Sequence, residues 1–463
     1  MTWTLAELKE QRVHLLGIGG IGVSALARML VANGVVVTGC DVRESTLTAA
    51  LREEGIEVAI GHDADHVSTN DVIVYSTAVP ADNAEFAAAR ASGKPVLHRS
   101  EILGLLVAAH DTVGVTGTNG KGTVCTMITW ILQQAGLDPA FYIGGLSPNL
   151  GTNARETGNQ YMVAELDESD GSLCNTQPKY ALINNVELDH LNYYHSIDDV
   201  VSTLTRFCQG LPLGHRVFVN GDDVGACRVA EQLPATSVVT FGAGAKLDYH
   251  YEIIELTDDE SRFATWKGGE KLGEFRLTVP GTYNIENAIG AIAVVSELGI
   301  APAIIARALA SFRGLNNRYT LMRGGGRSFI KDYMSHPSGM RKVLQTARLG
   351  KPERLVAVFK PYRYTMIRYH ASNYADAMRN ADEVIITDMW EGGEEPIPGV
   401  DTSWLVEKLR QGGLNVTYLP DMETIPDYLE RTGNAGDCVV FFGGNDLFEL
   451  AEQLCQRLPG ETS

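Results

Sequence analysis

The stretch Val115-Thr116-Gly117-Thr118-Asn119-Gly120-Lys121-Gly122-Thr123 constrains the fold of this chain more than any other. The apolar run Thr112 to Val115 reads as a buried strand, the glycines as a tight turn, and Thr123 to Gln134 as a helix. That is the layout of a phosphate-binding loop. Backbone N–H groups curl around phosphate oxygens, the helix N-terminus adds positive potential, a lysine supplies a full charge, and a hydroxyl can hold Mg²⁺. On this reading Gly117, Thr118, Asn119, Gly120, Lys121, Gly122 and Thr123 hold a nucleoside triphosphate. Gly122 separates Lys121 from Thr123, one residue off the usual form of the motif. The bland alternative is an ordinary Gly-rich turn between strand and helix.

A chain of 463 residues exceeds a single small core and suggests about three domains. The first block opens with the strand Val13 to Leu16, the glycine run Gly17 to Gly22, an amphipathic helix from Val23 to Ala32, and the strand Val35 to Asp41. This is a dinucleotide-fold opening, in which a nucleotide diphosphate can sit on Gly19, Gly20, Ile21 and Gly22, and Asp41 is placed either to bind a ribose hydroxyl or simply to cap the strand end. A strand from Val72 to Tyr75 then ends at Ser76. Taken alone, the block also suits a nicotinamide-dependent dehydrogenase, but that leaves the phosphate loop unexplained.

The second block carries the strand Tyr161 to Glu165, which runs into Asp167-Glu168-Ser169-Asp170, and the strand Tyr180 to Asn184, which leads to Asp189-His190. Ligands of open parallel sheets gather at the carboxyl ends of strands, so phosphate loop, acidic run and Asp-His pair meet at one edge. Oxygen ligands with one imidazole suit a hard divalent ion beside phosphates, which points to Glu165 and His190. Glu168 and Asp170 read as residues of a solvated turn. Residues 247 to 278 alternate apolar and polar positions, as one-sided antiparallel strands do. Asn284 and Asn287 open a following helix, and Asn316, Asn317 and Arg318 end the block. The third block alternates again, with polar residues past its strands: Asp332 and His336, then Arg363, then Asn445-Asp446.

Composition excludes more than it assigns. A net charge of −19 argues against a nucleic-acid platform. The seven cysteines are scattered, odd in number and without a CxxC pair, the pattern of a reducing compartment with no zinc site. No apolar run approaches a membrane span, and Glu7, Lys9 and Glu10 break up any signal peptide, so the expectation is a cytoplasmic protein without membrane partners.

The motifs together resemble the Mur ligases over nearly the whole length. The likeness lies in His14 to Gly22, Gly144-Gly145 with Gly151 to Ala154, Ala164-Glu165 with Asp167 to Ser172, Asp189-His190, Asn284 with Asn287, Asp332-Tyr333 with His336-Pro337, Pro361 with Arg363 to Thr365, and Gly392 to Gly399. Within the family the chain is most similar to the branch that joins L-alanine to UDP-N-acetylmuramate. The resemblance implies an α/β chain of three domains: a Rossmann-like domain for a UDP-sugar at 1–108, a central ATPase with added antiparallel strands at 109–319, and a Rossmann-like amino-acid domain at 320–463. It implies that ATP phosphorylates a substrate carboxylate, and that an amine then attacks to form an amide, releasing ADP and phosphate. Lys121, Glu165 and His190 would be catalytic, with Mg²⁺ held by Thr123, Glu165 and His190. Asn287, Arg318 and Asp332 would contact ATP, Gly19 to Gly22, Asp41 and Ser76 the UDP-substrate, and His336 and Arg363 the amino acid. The active form would be a monomer or homodimer.

Departures from the family pattern are specific. Asn119 and Gly122 make the phosphate loop similar to that of folylpolyglutamate synthases. In the third block Met334, Ser335 and Met366 stand where that branch has a glycine, an imidazole and a guanidinium. The identity of the amine therefore stays open, as do a paralogue acting in peptide recycling or a specialised pathway and a non-catalytic nucleotide-binding homologue.

Overall fold

The computed structural model describes residues 3–80 and 82–458. Three sheets follow one another along the chain. The first holds β1 (Arg12–Leu16), β2 (Val36–Asp41), β3 (Glu57–Ile60), β4 (Val72–Tyr75) and β5 (Val96–His98). Its order is β3-β2-β1-β4-β5 and every pair is parallel. The chain passes to one side of β1 and then to the other, so the crevice of this sheet opens where β1 ends, at Gly17.

The second sheet contains β6 (Asp111–Thr116), β7 (Ala140–Tyr142), β8 (Ala154–Arg155), β9 (Tyr161–Glu165), β10 (Tyr180–Ile183), β11 (Arg216–Asn220), β12 (Val238–Gly242), β13 (Tyr249–Leu256), β14 (Ser261–Lys267) and β15 (Glu270–Leu277). The order is β15-β14-β13-β12-β11-β10-β6-β9-β7-β8. Here β6 is the switch point, with β9 and β10 on either side, Val115 opposite Glu165 and Thr116 opposite Ile183. Strand ends are therefore level, and the residues after them share one edge. These central strands are buried on both faces, which is why they read as unbroken apolar runs. Val113, Val115, Val163 and Leu182 have no exposed surface, each worth roughly 1.5–3 kcal/mol of apolar burial.

The third sheet holds β16 (Thr320–Gly324), β17 (Arg327–Asp332), β18 (Leu355–Phe359), β19 (Glu383–Ile386), β20 (Val416–Tyr418) and β21 (Cys438–Phe442), in the order β16-β17-β21-β18-β19-β20. Asp332 and Phe359 are both level with Phe442, so the segments after β17, β18 and β21 start from one line. By backbone contacts the chain divides into two compact units. One comprises 1–251, 265–273 and 287–315, and the other 252–264, 274–286 and 316–463.

Helix starts carry a signal of their own. Ser45, Asn83 and Ser196 cap the helices Thr46–Glu53, Ala84–Ala91 and Ile197–Gln209 with side-chain oxygens. The helices Ile21–Ala32 and Lys121–Gln134, which follow the two glycine loops, begin at Gly20 and Gly120 without a side-chain cap. Their first-turn N–H groups are the donors that an anion can take. Among the described residues no helix is long and apolar enough to cross a membrane.

Candidate active site

Two glycines of the phosphate loop are required by geometry. Gly117 has φ +128°, and a Cβ there would lie 2.7 Å from the Asn185 carbonyl oxygen. Gly120 has φ +86°, and a Cβ would lie 2.4 Å from Asn287 Oδ1. An asparagine network explains this crowding. Asn184 Nδ2 donates to Asn287 Oδ1 at 2.8 Å and to the Asn119 carbonyl at 2.9 Å. Asn119 N donates to Asn185 Oδ1, and Asn185 Nδ2 returns a bond to the Asn119 carbonyl. Asn287 thus braces the loop from the helix Thr282–Glu297, and Asn184 and Asn185 brace it from the end of β10.

Lys121 is the hub of the charges. Its Nζ donates to the Gly117 carbonyl at 2.7 Å and lies 3.0 Å from Glu168 Oε1, while His190 Nε2 is 3.6 Å from the same carboxylate oxygen. Burial would lower the Lys121 pKa, but the carboxylates of Glu168, Asp167 and Glu165 outweigh it, and the ammonium is held charged. Burial also works against a charged His190, yet the Glu168 carboxylate and Asp189 raise its pKa. Glu165 accepts from Gly144 N at 2.7 Å and stands beside the loop, 3.2 Å from where a Gly122 Cβ would be. Leu315 lies 3.1 Å from that same position, so a glycine after Lys121 suits this packing. Thr123 is the third residue of the helix that Lys121 begins.

The acidic run is not a solvated turn. Glu168 is 2% exposed, and its Oε2 is buried with no hydrogen-bond partner among the described residues. Asp167 Oδ2 pairs with Arg99 at 2.8 Å. Burial would raise the Asp167 pKa, but Lys121 and Arg99 bring it down to about 2. Three carboxylates around one ammonium and one imidazole leave room, electrostatically, for a divalent cation. The orphaned Glu168 oxygen fits that need.

The second glycine loop belongs to the same compact unit. Gly19 N donates to Asp41 Oδ2 at 2.9 Å, so the expected ribose ligand also pins the turn. A Cβ on Gly22 would lie 2.8 Å from the Tyr142 hydroxyl and 3.6 Å from Arg99 Nη1. Arg99 therefore stands between Gly22 and Asp167, and Asp167 is followed directly by the partner of Lys121. Thr77, next to Ser76 at the end of β4, donates to Asp170 Oδ2 at 3.3 Å, and Asn153 Nδ2 donates to the Ile21 carbonyl. Gly20 and Ile21 start the helix at this point, Ile21 38% exposed.

The remaining expected residues lie in the other unit. Asp332 is buried. It accepts from Tyr319 N at 2.9 Å and Met334 N at 2.8 Å, with Arg318 Nη1 at 3.7 Å. Burial is the main reason its pKa is raised. His336 Nδ1 bonds Ser338 Oγ at 2.8 Å, and its ring meets His370 edge-on at 4.7 Å. Arg363 has φ +61°, and its guanidinium lies 4.7 Å from the centre of the Tyr362 ring. Met366 is 4% exposed, and Met334 fills the space over Gly339. Both methionines make apolar packing, Met366 where the resemblance led us to look for a guanidinium and Met334 where it led us to look for a glycine.

With this arrangement in place, comparison with known proteins decides the family. Three family descriptions match in succession: "Mur ligase family, catalytic domain" over 12–111, "Mur ligase middle domain" over 115–295, and "Mur ligase, glutamate ligase domain" over 317–445. The chain belongs to the Mur ligase family. A UDP-N-acetylmuramate–L-alanine ligase of Geobacter sp. (strain M21) is 35% identical, with 97% of this chain and 98% of that one covered. The enzyme of the same name from Sorangium cellulosum is 34% identical, at 98% and 98% coverage. Among solved structures, the UDP-N-acetylmuramate–alanine ligase of Thermotoga maritima superposes with TM-score 0.81 at 27% identity, covering 96% and 99%. A murein peptide ligase of Psychrobacter arcticus shares the fold, with TM-score 0.70, 21% identity, and 98% and 100% coverage. This Mur ligase is an α/β enzyme of the ATP-dependent amide-forming type.

Proposed function

We propose that this Mur ligase activates the carboxylate of UDP-N-acetylmuramate with ATP and couples it to an amino acid, with L-alanine the first candidate. The observation that carries the reading is the Arg99 bridge. Arg99 lies beside Gly22 and pairs with Asp167, and the next residue, Glu168, pairs with Lys121, all within a single compact unit. A loop suited to a UDP diphosphate and a loop suited to ATP are thereby held to one framework. The full-length similarity to ligases named for UDP-N-acetylmuramate and L-alanine supports the same pair of substrates.

The chemistry asks mainly for positioning and charge neutralisation. Gly117 to Thr123 would receive the triphosphate on backbone N–H groups, and Lys121 would exchange Glu168 for phosphate oxygens. Glu165, His190 and Thr123 would hold Mg²⁺, which when bound neutralises charge on the phosphates and the entering carboxylate. Asn287 would keep the loop in register. The carboxylate oxygen takes the terminal phosphoryl group and ADP leaves. The amine then attacks the acyl carbon, phosphate departs, and the amine proton passes to a base. Asp332 and Arg318 would contact ATP, and His336 and Arg363 would orient the amino acid. Gly19 to Gly22, Asp41 and Ser76 would hold the UDP-sugar.

The test is product identity. Purified protein with ATP, Mg²⁺, UDP-N-acetylmuramate and a panel of amino acids should yield ADP and a UDP-linked amide by mass spectrometry. Turnover with alanine alone supports the proposed pair. Turnover with another amine only would move the assignment to a paralogue, a reading the apolar Met334 and Met366 give reason to include. No product with any amine would sink the ligase reading.

A further inference from the structure

The first sheet holds a buried cluster that the ligase chemistry does not use. His14 on β1, Cys40 on β2, His66 in the segment after β3 and Glu85 on the helix Ala84–Ala91 place one ligand atom each within 4.8 Å of one another. Cys40 Sγ is 3.0 Å from Glu85 Oε2, His66 Nδ1 3.1 Å from Oε1, and His14 Nε2 2.9 Å from Oε1. Cys40 and Glu85 have no exposed surface and His14 has 2%. His62 Nδ1 adds a further contact, 2.8 Å from Glu85 Oε2.

Proton accounting shows what His14 brings. Arg12 Nε can only donate, and it donates to Asn70 Oδ1, which is therefore an acceptor. Thr38 Oγ1 gives its single proton to the same oxygen at 3.0 Å. The 2.6 Å contact between Thr38 Oγ1 and His14 Nδ1 must then be donated by His14. A neutral His14 consequently turns the lone pair of Nε2 toward a carboxylate oxygen. The contact is close but poorly aligned for an N–H···O bond, and Nε2 has no hydrogen bond of good geometry. Two facing lone pairs repel unless a metal ion or a proton lies between them.

We propose that His14, Cys40, His66 and Glu85 form a closed structural site for a divalent transition ion of the zinc type. Two imidazoles, a thiolate and a carboxylate are a zinc ligand set, and four protein ligands leave no position for a substrate. Charge also closes: the ion is matched by one thiolate and one carboxylate, so a neutral complex is buried. The Cys40 proton leaves to solvent on binding, because burial and Glu85 hold the thiol protonated beforehand. Thr38 orients His14 as outer partners of ligating histidines do. Tetrahedral bonds of about 2.0–2.3 Å separate ligand atoms by roughly 3.3–3.8 Å, so on binding the three contacts to Glu85 would lengthen by a few tenths of an ångström. The ion would tie β1, β2, the segment after β3 and a helix together, one residue before Asp41. Scattered cysteines gave no hint of this in the sequence, where the expectation was no zinc site. The ligands come from four separate segments.

The test is Co²⁺ titration of the chelator-treated full chain with excess Mg²⁺ present to fill oxygen-rich sites. About one equivalent should bind with a near-ultraviolet thiolate-to-cobalt band, which Zn²⁺ then bleaches, and Zn²⁺ should raise the melting temperature. Cys40→Ser should lose the band and the thermal shift. His66→Gln, which keeps the thiol, should retain the band with at least about tenfold weaker binding, and decides the matter should Cys40→Ser not fold. Absence of stoichiometric binding, an unchanged band in Cys40→Ser or unchanged affinity in His66→Gln would overturn the proposal, leaving protons alone to hold the cluster.

Discussion

The chain contains two strand–glycine–helix loops, and they are built on different terms. Around Gly117 to Lys121 the backbone is forced: two glycines have positive φ with polar atoms where a Cβ would be, and a charged side chain sits at the centre. Around Gly17 to Gly22 only Gly17 has positive φ, and charge reaches the loop from neighbours, through Asp41 and Arg99. A triphosphate that must lose a phosphoryl group needs a lysine and a metal. A diphosphate that is only held needs N–H groups and a close approach. The difference teaches that a glycine pattern reports backbone proximity, and that the chemistry is read from the charges beside it.

The largest effect should come from the hub. Lys121→Ala is expected to lower kcat by about 10³-fold, as loss of a transition-state charge contact does. It should also reduce stability by roughly 3 kcal/mol, because buried Glu168 loses its partner. Steady-state kinetics with a denaturant titration reads both, and wild-type turnover would break the contrast between the loops.

Backbone strain comes next. Gly120→Ala should cost about 2–3 kcal/mol, whereas Gly34→Ala, at φ +84° with no neighbour within 4 Å, should cost only about 1 kcal/mol. Melting curves of the pair separate crowding by the asparagine network from φ alone.

Coupling between the loops is tested in acid. Asn33, which ends the helix after the first loop, donates to Glu156, and His110 lies against the same carboxylate. Burial would raise the Glu156 pKa, but the His110 hydrogen bond, the Gly158 N–H and Asn33 bring it from 4.5 down to about 2. A depressed carboxylate stabilises above its unfolded pKa, and the gain is lost as pH falls through the folded value. Wild type should therefore lose on the order of 2–3 kcal/mol from this group between pH 4.5 and 2. Glu156→Gln should flatten that part of the stability curve; an identical slope would mean that the helix is held by other means. The smallest effect belongs to Asp41→Ala, which should raise KM for the UDP-sugar about tenfold, or about 1.4 kcal/mol, and leave KM for ATP unchanged.

Much of this architecture was legible because doubly buried parallel strands are unbroken apolar runs. Val72–Tyr75 and Tyr161–Glu165 stand where their patterns put them. The strands Arg216–Asn220 and Val238–Gly242 went unassigned, lacking a ligand-type residue that drew attention to their ends. Glu168 was misread for a physical reason. Acidic runs are usually solvated, and only the fold brings Lys121 and His190 to this one. Asn184 and Asn185 escaped notice as loop braces because their partners lie far away in sequence. Met366 was read as a lost pocket charge; its burial shows a packed side chain, so Met366→Arg would place a guanidinium where there is little water.

On the proposed mechanism Lys121 and its neighbours would support transfer of a phosphoryl group to a carboxylate of a substrate held at the first loop. The most direct measurement uses UDP-N-acetylmuramate labelled with ¹⁸O in its carboxylate, with ATP and L-alanine, and the released phosphate analysed by mass spectrometry. Transfer of one carboxylate ¹⁸O into phosphate per amide formed is the result the account predicts. Amide formation with unlabelled phosphate would contradict it.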